Sequence, residues 1–106
     1  MRHALAKILA VFLLSAAAVA KAAPAETGAS AGARIAQRWC VNCHVISNAQ
    51  AGVVPQGPPS FPTIAKSGMS ADQLRAFLSH PHGAMPDLAL TRTEIDDLIA
   101  YIQSLR

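Results

Sequence analysis

Cys40-Val41-Asn42-Cys43-His44 is a C-x-x-C-H run, and it constrains this chain more than any other five residues. Two thiols separated by two residues can reach the two vinyl groups on one side of a porphyrin and form thioethers there. The next residue then lies under the ring, where the imidazole of His44 can bind iron from the proximal side. A chain built on such a run has to fold over a flat macrocycle. A covalently tethered haem, one per chain, in so short a protein points to electron transfer.

Three blander readings of the run are weaker. A dithiol redox pair wants a βαβ context, and the flanks here read as helix and Pro-rich loop. A structural zinc site wants more Cys or His at finger spacing, but the chain has only two Cys, and His80 and His82 lie far downstream. A disulfide across two intervening residues is strained and staples almost nothing.

The first residues read as an export signal. Arg2, His3 and Lys7 make a basic n-region, and Ile8 to Ala20 is an apolar run. Small residues follow in A-x-A patterns at Ala18-Val19-Ala20 and Ala20-Lys21-Ala22. Residues 1–23 are therefore expected to be a signal peptide, cleaved after Ala20, Ala22 or Ala23. An uncleaved anchor is the competing reading, although the run falls short of the ~20 apolar residues that a spanning helix needs. Export and C-x-x-C-H support each other, since thioether attachment in bacteria takes place outside the cytoplasm. The expected location is the periplasm, with the mature form not inserted in the membrane.

The leader also distorts the composition. Taking Arg2, Lys7 and Lys21 from the nine basic residues leaves six, against six acidic ones. The mature chain is near neutral, so the basic balance is no argument for nucleic-acid binding. About 83 residues remain, enough for one domain with a modest core. A buried porphyrin supplies apolar surface that so short a chain lacks.

Residues 24–30 are rich in Ala, Gly and Ser and read as a disordered lead-in, and residues 31–106 as the domain. A helix is expected from about Ala31 to Cys40, with Ile35, Ala36 and Trp39 on one packing face. Between His44 and Ser67 the pattern is irregular, with Gly52, Pro55, Gly57, Pro58, Pro59 and Pro62. Such a loop in a small domain needs a task, and wrapping a prosthetic group is one. Phe61 and Ile64 would pack on the ring. A second helix starts at Ser70, where Ser70 and Gln73 form a capping box and Met69 with Leu74 a hydrophobic staple. Leu74, Phe77 and Leu78 are expected to face inward, and Pro81 to end the run. A third helix repeats this start with Thr91 and Glu94, stapled by Leu90 and Ile95. Its apolar stripe is Ile95, Leu98, Ile99, Ile102 and Leu105. Nothing reads as a strand pair, so the fold class is all-α, about three helices and irregular loops around one haem.

An electron carrier gains from a second strong axial ligand, because a fully ligated iron changes little between its two oxidation states. A thioether favours ferrous iron and raises the potential. The candidates past the leader are Met69 and Met85. Met69 already has a packing role at a helix entrance. Met85 lies in His80-Pro81-His82-Gly83-Ala84-Met85-Pro86, a loop suited to a non-helical approach to iron, and is the expected distal ligand. His80 and His82 are rival imidazole ligands, and both read more simply as solvated loop residues.

These residues together resemble the class I cytochromes c, the small monohaem His/Met family, over nearly the whole mature chain. Gly32 stands eight positions before Cys40, where the family keeps a Gly for close crossing of its first and last helices. Cys40, Cys43 and His44 match the haem run. Pro59-Ser60-Phe61 resembles a segment in which, the resemblance implies, a Pro carbonyl accepts a hydrogen bond from the proximal His; Pro58 and Pro59 both stand at this point. Met85-Pro86 and the segment from Asp97 to Ile102 resemble the distal loop and the C-terminal helix. Ala36 replaces an aromatic that packs on Tyr101 in many members, which leaves Trp39 or Ile35 to compensate. The span from His44 to Met85 is shorter than in mitochondrial members, so a more exposed haem edge is expected. No lysine ring is evident.

The expected function is that of a monomeric, diffusible one-electron carrier, not an enzyme. Its partners would be redox proteins: a donor dehydrogenase or cytochrome complex, and an acceptor oxidase or reductase. A haem subunit held by a larger dehydrogenase or oxidase complex uses the same motifs. A peroxidase or gas sensor would need an open distal site with an acid/base group, for which His82 is the one candidate.

Overall fold

The computed structural model of the protein describes residue 20 and residues 22–49, 57–80 and 82–106. The expected signal segment falls almost wholly outside these residues, and Gly52, Pro55 and Pro81 lie outside them too. Among the described residues four helices follow one another: α1 (Ala29–Trp39), α2 (Phe61–Lys66), α3 (Ala71–Ser79) and α4 (Arg92–Ser104). No strand occurs among the described residues, and the fold is all-α as expected.

Helix α2 is the addition to the expected three. It lies in the stretch read as irregular, and its start is set locally. Ser60 caps it by accepting the Thr63 N–H at 3.1 Å, and Pro62 stands in the first turn, where its missing N–H costs nothing. Six residues are too few for an apolar period to show. Helix α1 begins at Ala29, so the last two residues of the expected lead-in belong to it. Glu26 pairs with Arg34, and the Gly28 N–H donates to Asp97 Oδ1 at 2.6 Å. A carboxylate at the start of α1 is favoured by the dipole of that helix.

The capping boxes at Ser70–Gln73 and Thr91–Glu94 are both closed reciprocally, as the spacing predicts. The α4 stripe is buried at Ile95, Leu98, Ile99 and Ile102, with Leu105 just past the helix end and half-buried.

Helices α1 and α4 cross at Gly32. A Cβ there would stand 2.0 Å from the backbone oxygen of Asp97 and 2.7 Å from the Cβ of Tyr101. No side chain fits, so hydrogen is the only substituent that lets the helices approach this closely. Below the crossing the core gathers Ala36, Cys40, Ile46, Phe61, Ala65 and Leu74 around Leu98.

Two aromatic expectations need correction. Trp39 is 51% exposed, although the period places it with Ile35 and Ala36. Helix α1 ends at Trp39, and the indole carries the Arg38 guanidinium 5.0 Å from its ring centre. Tyr101 instead meets Phe61, edge on, with ring centres 6.3 Å apart. Phe77 is 49% exposed where an inward position was expected. Leu74 and Leu78 take the inner face of α3, and Phe77 turns toward the following loop.

Candidate haem site

The C-x-x-C-H run is a continuation of α1. Cys40 is the C-cap, its N–H donating to Ala36 at 2.8 Å. The N–H groups of Cys43 and His44 then both return to the Cys40 carbonyl, at 3.1 and 2.8 Å. This turn is helical in its spacing, and positions three apart on such a turn are neighbours on one side. Cys40 is buried and Cys43 exposed. Burial, and then the neighbouring Cys43, push the Cys40 thiol up to about 11.

His44 is held from the far side of the sequence. Its Nδ1 lies 2.8 Å from the Pro59 carbonyl oxygen. A carbonyl can only accept, so Nδ1 carries the proton and Nε2 keeps its lone pair. Of the two adjacent prolines, Pro59 is the partner. The corner at Pro59 is itself braced, because Ser60 caps α2 and the Phe61 N–H donates to Val45 at 2.8 Å. Phe61 is buried, with its ring centre 5.3 Å from that of His44. The next contact outward is Tyr101, whose hydroxyl donates to the Ile46 carbonyl at 2.7 Å. Burial raises the Tyr101 hydroxyl above its ordinary range. Cys40, His44, Pro59 and Phe61 are thus one packed unit, and Cys43 stands on its edge.

Met85 belongs to a second unit. It is half-buried in the segment between α3 and α4. Its N–H donates to the His82 carbonyl at 3.0 Å, closing a turn through Gly83, whose φ of +53° favours glycine. Met69 packs against the core as the staple pattern requires, and Ile64 does so from within α2. His80 is exposed at the C-cap of α3. His82 departs from the expected solvated residue: it is half-buried, and its Nδ1 lies 2.9 Å from the Phe77 carbonyl. Asp97 is the other residue that pattern reading missed. Its signal was an acid set among the core positions Ile95, Leu98 and Ile99.

The donors gathered on the C-x-x-C-H turn are two thiols and an imidazole whose Nδ1 is engaged by Pro59. Among the described residues no group of three or more His, Cys, Asp or Glu gathers around a point where a bare ion could sit. An iron here would need the in-plane nitrogens of a macrocycle, and two thiols on one turn suit a porphyrin's vinyl groups. The residues fit a haem.

Fold and donor set together define a small all-α c-type haem protein. A family model described as "Cytochrome C oxidase, cbb3-type, subunit III" matches residues 27–102, and the chain belongs to this cytochrome c family. A cytochrome c-552 of Bradyrhizobium diazoefficiens is 45% identical over 92 residues, which cover 84% of this chain and 88% of that relative. No solved structure matches the chain. The chain is a bacterial class I monohaem cytochrome c, its cofactor is covalent haem c with iron, and electron transfer is the chemistry this supports.

Proposed function

We propose that the protein is a periplasmic one-electron carrier, with its haem joined to Cys40 and Cys43 and its iron held by His44 and Met85. When bound, the haem supplies an iron that cycles between ferrous and ferric states. The chain's own part is to present ligands that need not move. The observation that carries the reading is the 2.8 Å hydrogen bond from His44 Nδ1 to Pro59. It sets the tautomer and ring orientation, leaves Nε2 for the metal, and makes that nitrogen a stronger donor. Met85 offers a soft sulfur from a short turn, which favours the ferrous form.

Export rests on the leader pattern of residues 1–23. Among the described residues no helix is long and apolar enough to cross a membrane. Redox proteins are the partners. A second reading, a haem subunit of a larger oxidase, is favoured by the description of the matching family. Native size separates the two: a carrier elutes as a monomer, a subunit with its complex.

Replacement of Met85 tests the ligand set. We expect Met85→Ala to lose the weak long-wavelength charge-transfer band of the ferric His/Met state, to lower the potential, and to bind carbon monoxide readily when reduced. Met69→Leu should keep the band. The reverse pattern would assign the iron to Met69.

A further inference from the structure

The side chain of His82 ties the turn that carries Met85 to α3. Helix α3 ends at Ser79, and its C-cap residue His80 is in extended conformation, at φ −135° and ψ 140°. The last carbonyls of a helix have no partner inside it. At this end the Phe77 carbonyl is met by His82 Nδ1 at 2.9 Å, and the His80 carbonyl lies 3.3 Å from the same nitrogen. Both acceptors are carbonyls, so Nδ1 carries the proton and the imidazole works as a side-chain cap on the negative end of α3. Phe77 gives a second point of attachment. Its ring stands edge to face with the His82 ring, centres 5.1 Å apart at an interplanar angle of 82°. The exposed Phe77 thereby gains a partner that periodicity did not supply.

His82 then hands this anchorage to Met85. The Met85 N–H returns to the His82 carbonyl at 3.0 Å, and only Gly83 and Ala84 stand between. The thioether is three residues from a ring held by a hydrogen bond and an aromatic contact. On the C-terminal side Pro86, Asp87 and Ala89 are exposed, with Ala89 at φ +49°, and the chain next meets the core at Leu90, five residues from Met85 and just before Thr91, the α4 cap. A loop held at one near point samples fewer conformations in which its tip has moved away.

We infer that His82 is a positioning residue for Met85: by fastening the turn to the last carbonyls of α3, it keeps the thioether at the iron and external ligands away from it. The inference rests on the reading of Met85 as the distal ligand, and it assigns His82 no bond to iron and no proton transfer.

The test uses the holoprotein and imidazole as the competing ligand for ferric iron. His82→Ala should keep the long-wavelength band and bind imidazole about tenfold more tightly, the scale of one net hydrogen bond. His82→Asn, whose side-chain amide can donate from nearly the same place, should return binding to within about twofold of the parent. Thr91→Ala removes a cap from α4 and lowers stability by a comparable amount without touching the turn, so it should leave imidazole affinity unchanged. Parent-like affinity in His82→Ala overturns the inference, as does an equal gain in Thr91→Ala, which would make the effect one of general stability. If Met85→Ala retains the band, the ligand reading itself has failed, and that result is separate from any measured on His82.

Discussion

His44 and Met85, which the proposed function assigns to one iron, stand on segments built in different ways. His44 continues α1 through a helical turn, bonds to a carbonyl 15 residues away, and leans on the buried Phe61. That ring touches Tyr101 of α4, and α4 is pressed onto α1 at Gly32. Moving His44 therefore means moving the core. Met85 rides on a turn whose neighbours are largely exposed and whose bonds are local, anchored at His82. The lesson is a division of labour. Local stability is unevenly distributed in proteins, and segments with few buried contacts open first. His44 is held by the fold as a whole, and Met85 by a segment that the fold holds only near its ends.

The largest test of this contrast removes the tether. Cys40→Ala with Cys43→Ala, exported normally, should give no haem-stained band on a denaturing gel, since these are the chain's two thiols. A band that survives would detach the cofactor from the proximal unit altogether.

Next in size is a pair of matched truncations. Phe61 is 4% exposed and Phe77 49%. Phe61→Ala should cost about 3–5 kcal/mol in urea unfolding of the holoprotein, as buried Phe truncations do. Phe77→Ala, half on the surface, should cost about 1 kcal/mol. Equal costs would show that the haem covers Phe77 and that the distal side is more deeply packed than its contacts indicate.

A third test reads the proximal turn without its cofactor. In the haem-free chain Cys40 is pushed up to about 11 from an ordinary 9.0, by burial before anything else. A raised thiol pKa means that the folded state holds its proton longer. Its contribution to stability is thus fully present below about 9 and is lost as pH rises toward about 11. We expect exposed Cys43 to be alkylated well before Cys40 at mildly alkaline pH. Equal rates would show that the proximal unit needs the haem to form.

The smallest expected effect is that of salt on electron exchange. The chain beyond the leader balances six basic against six acidic residues. Exposed charges are screened over ~8 Å at physiological ionic strength, so rates measured by stopped flow should change little between low and moderate salt. A steep fall would expose a charged docking patch on one of the two sides.

Much of this molecule was legible in its residues because the signals are short in range. The C-x-x-C-H spacing, the two capping boxes and the α4 stripe each depend on neighbours within a few positions; both boxes close as written, and the stripe is buried from Ile95 to Ile102. Helix α2 was missed because six residues carry no period. Trp39 and Phe77 were misplaced because a helical period says which residues share a face, and not where a helix stops or what its neighbours leave uncovered.

By itself, then, the sequence determined an all-α chain with a haem-attachment turn, two well-capped helices and a choice of two thioethers. Tertiary structure alone decided that the carbonyl of Pro59 and not that of Pro58 accepts the hydrogen bond from His44 Nδ1, across 15 positions. It likewise brought Asp97 to the start of α1 across 69 positions, and the Tyr101 hydroxyl to Ile46 across 55. It also turned His82 from a solvent-facing residue into a bonded one. Such contacts form only after loops have closed and helices have packed, so no local propensity encodes them.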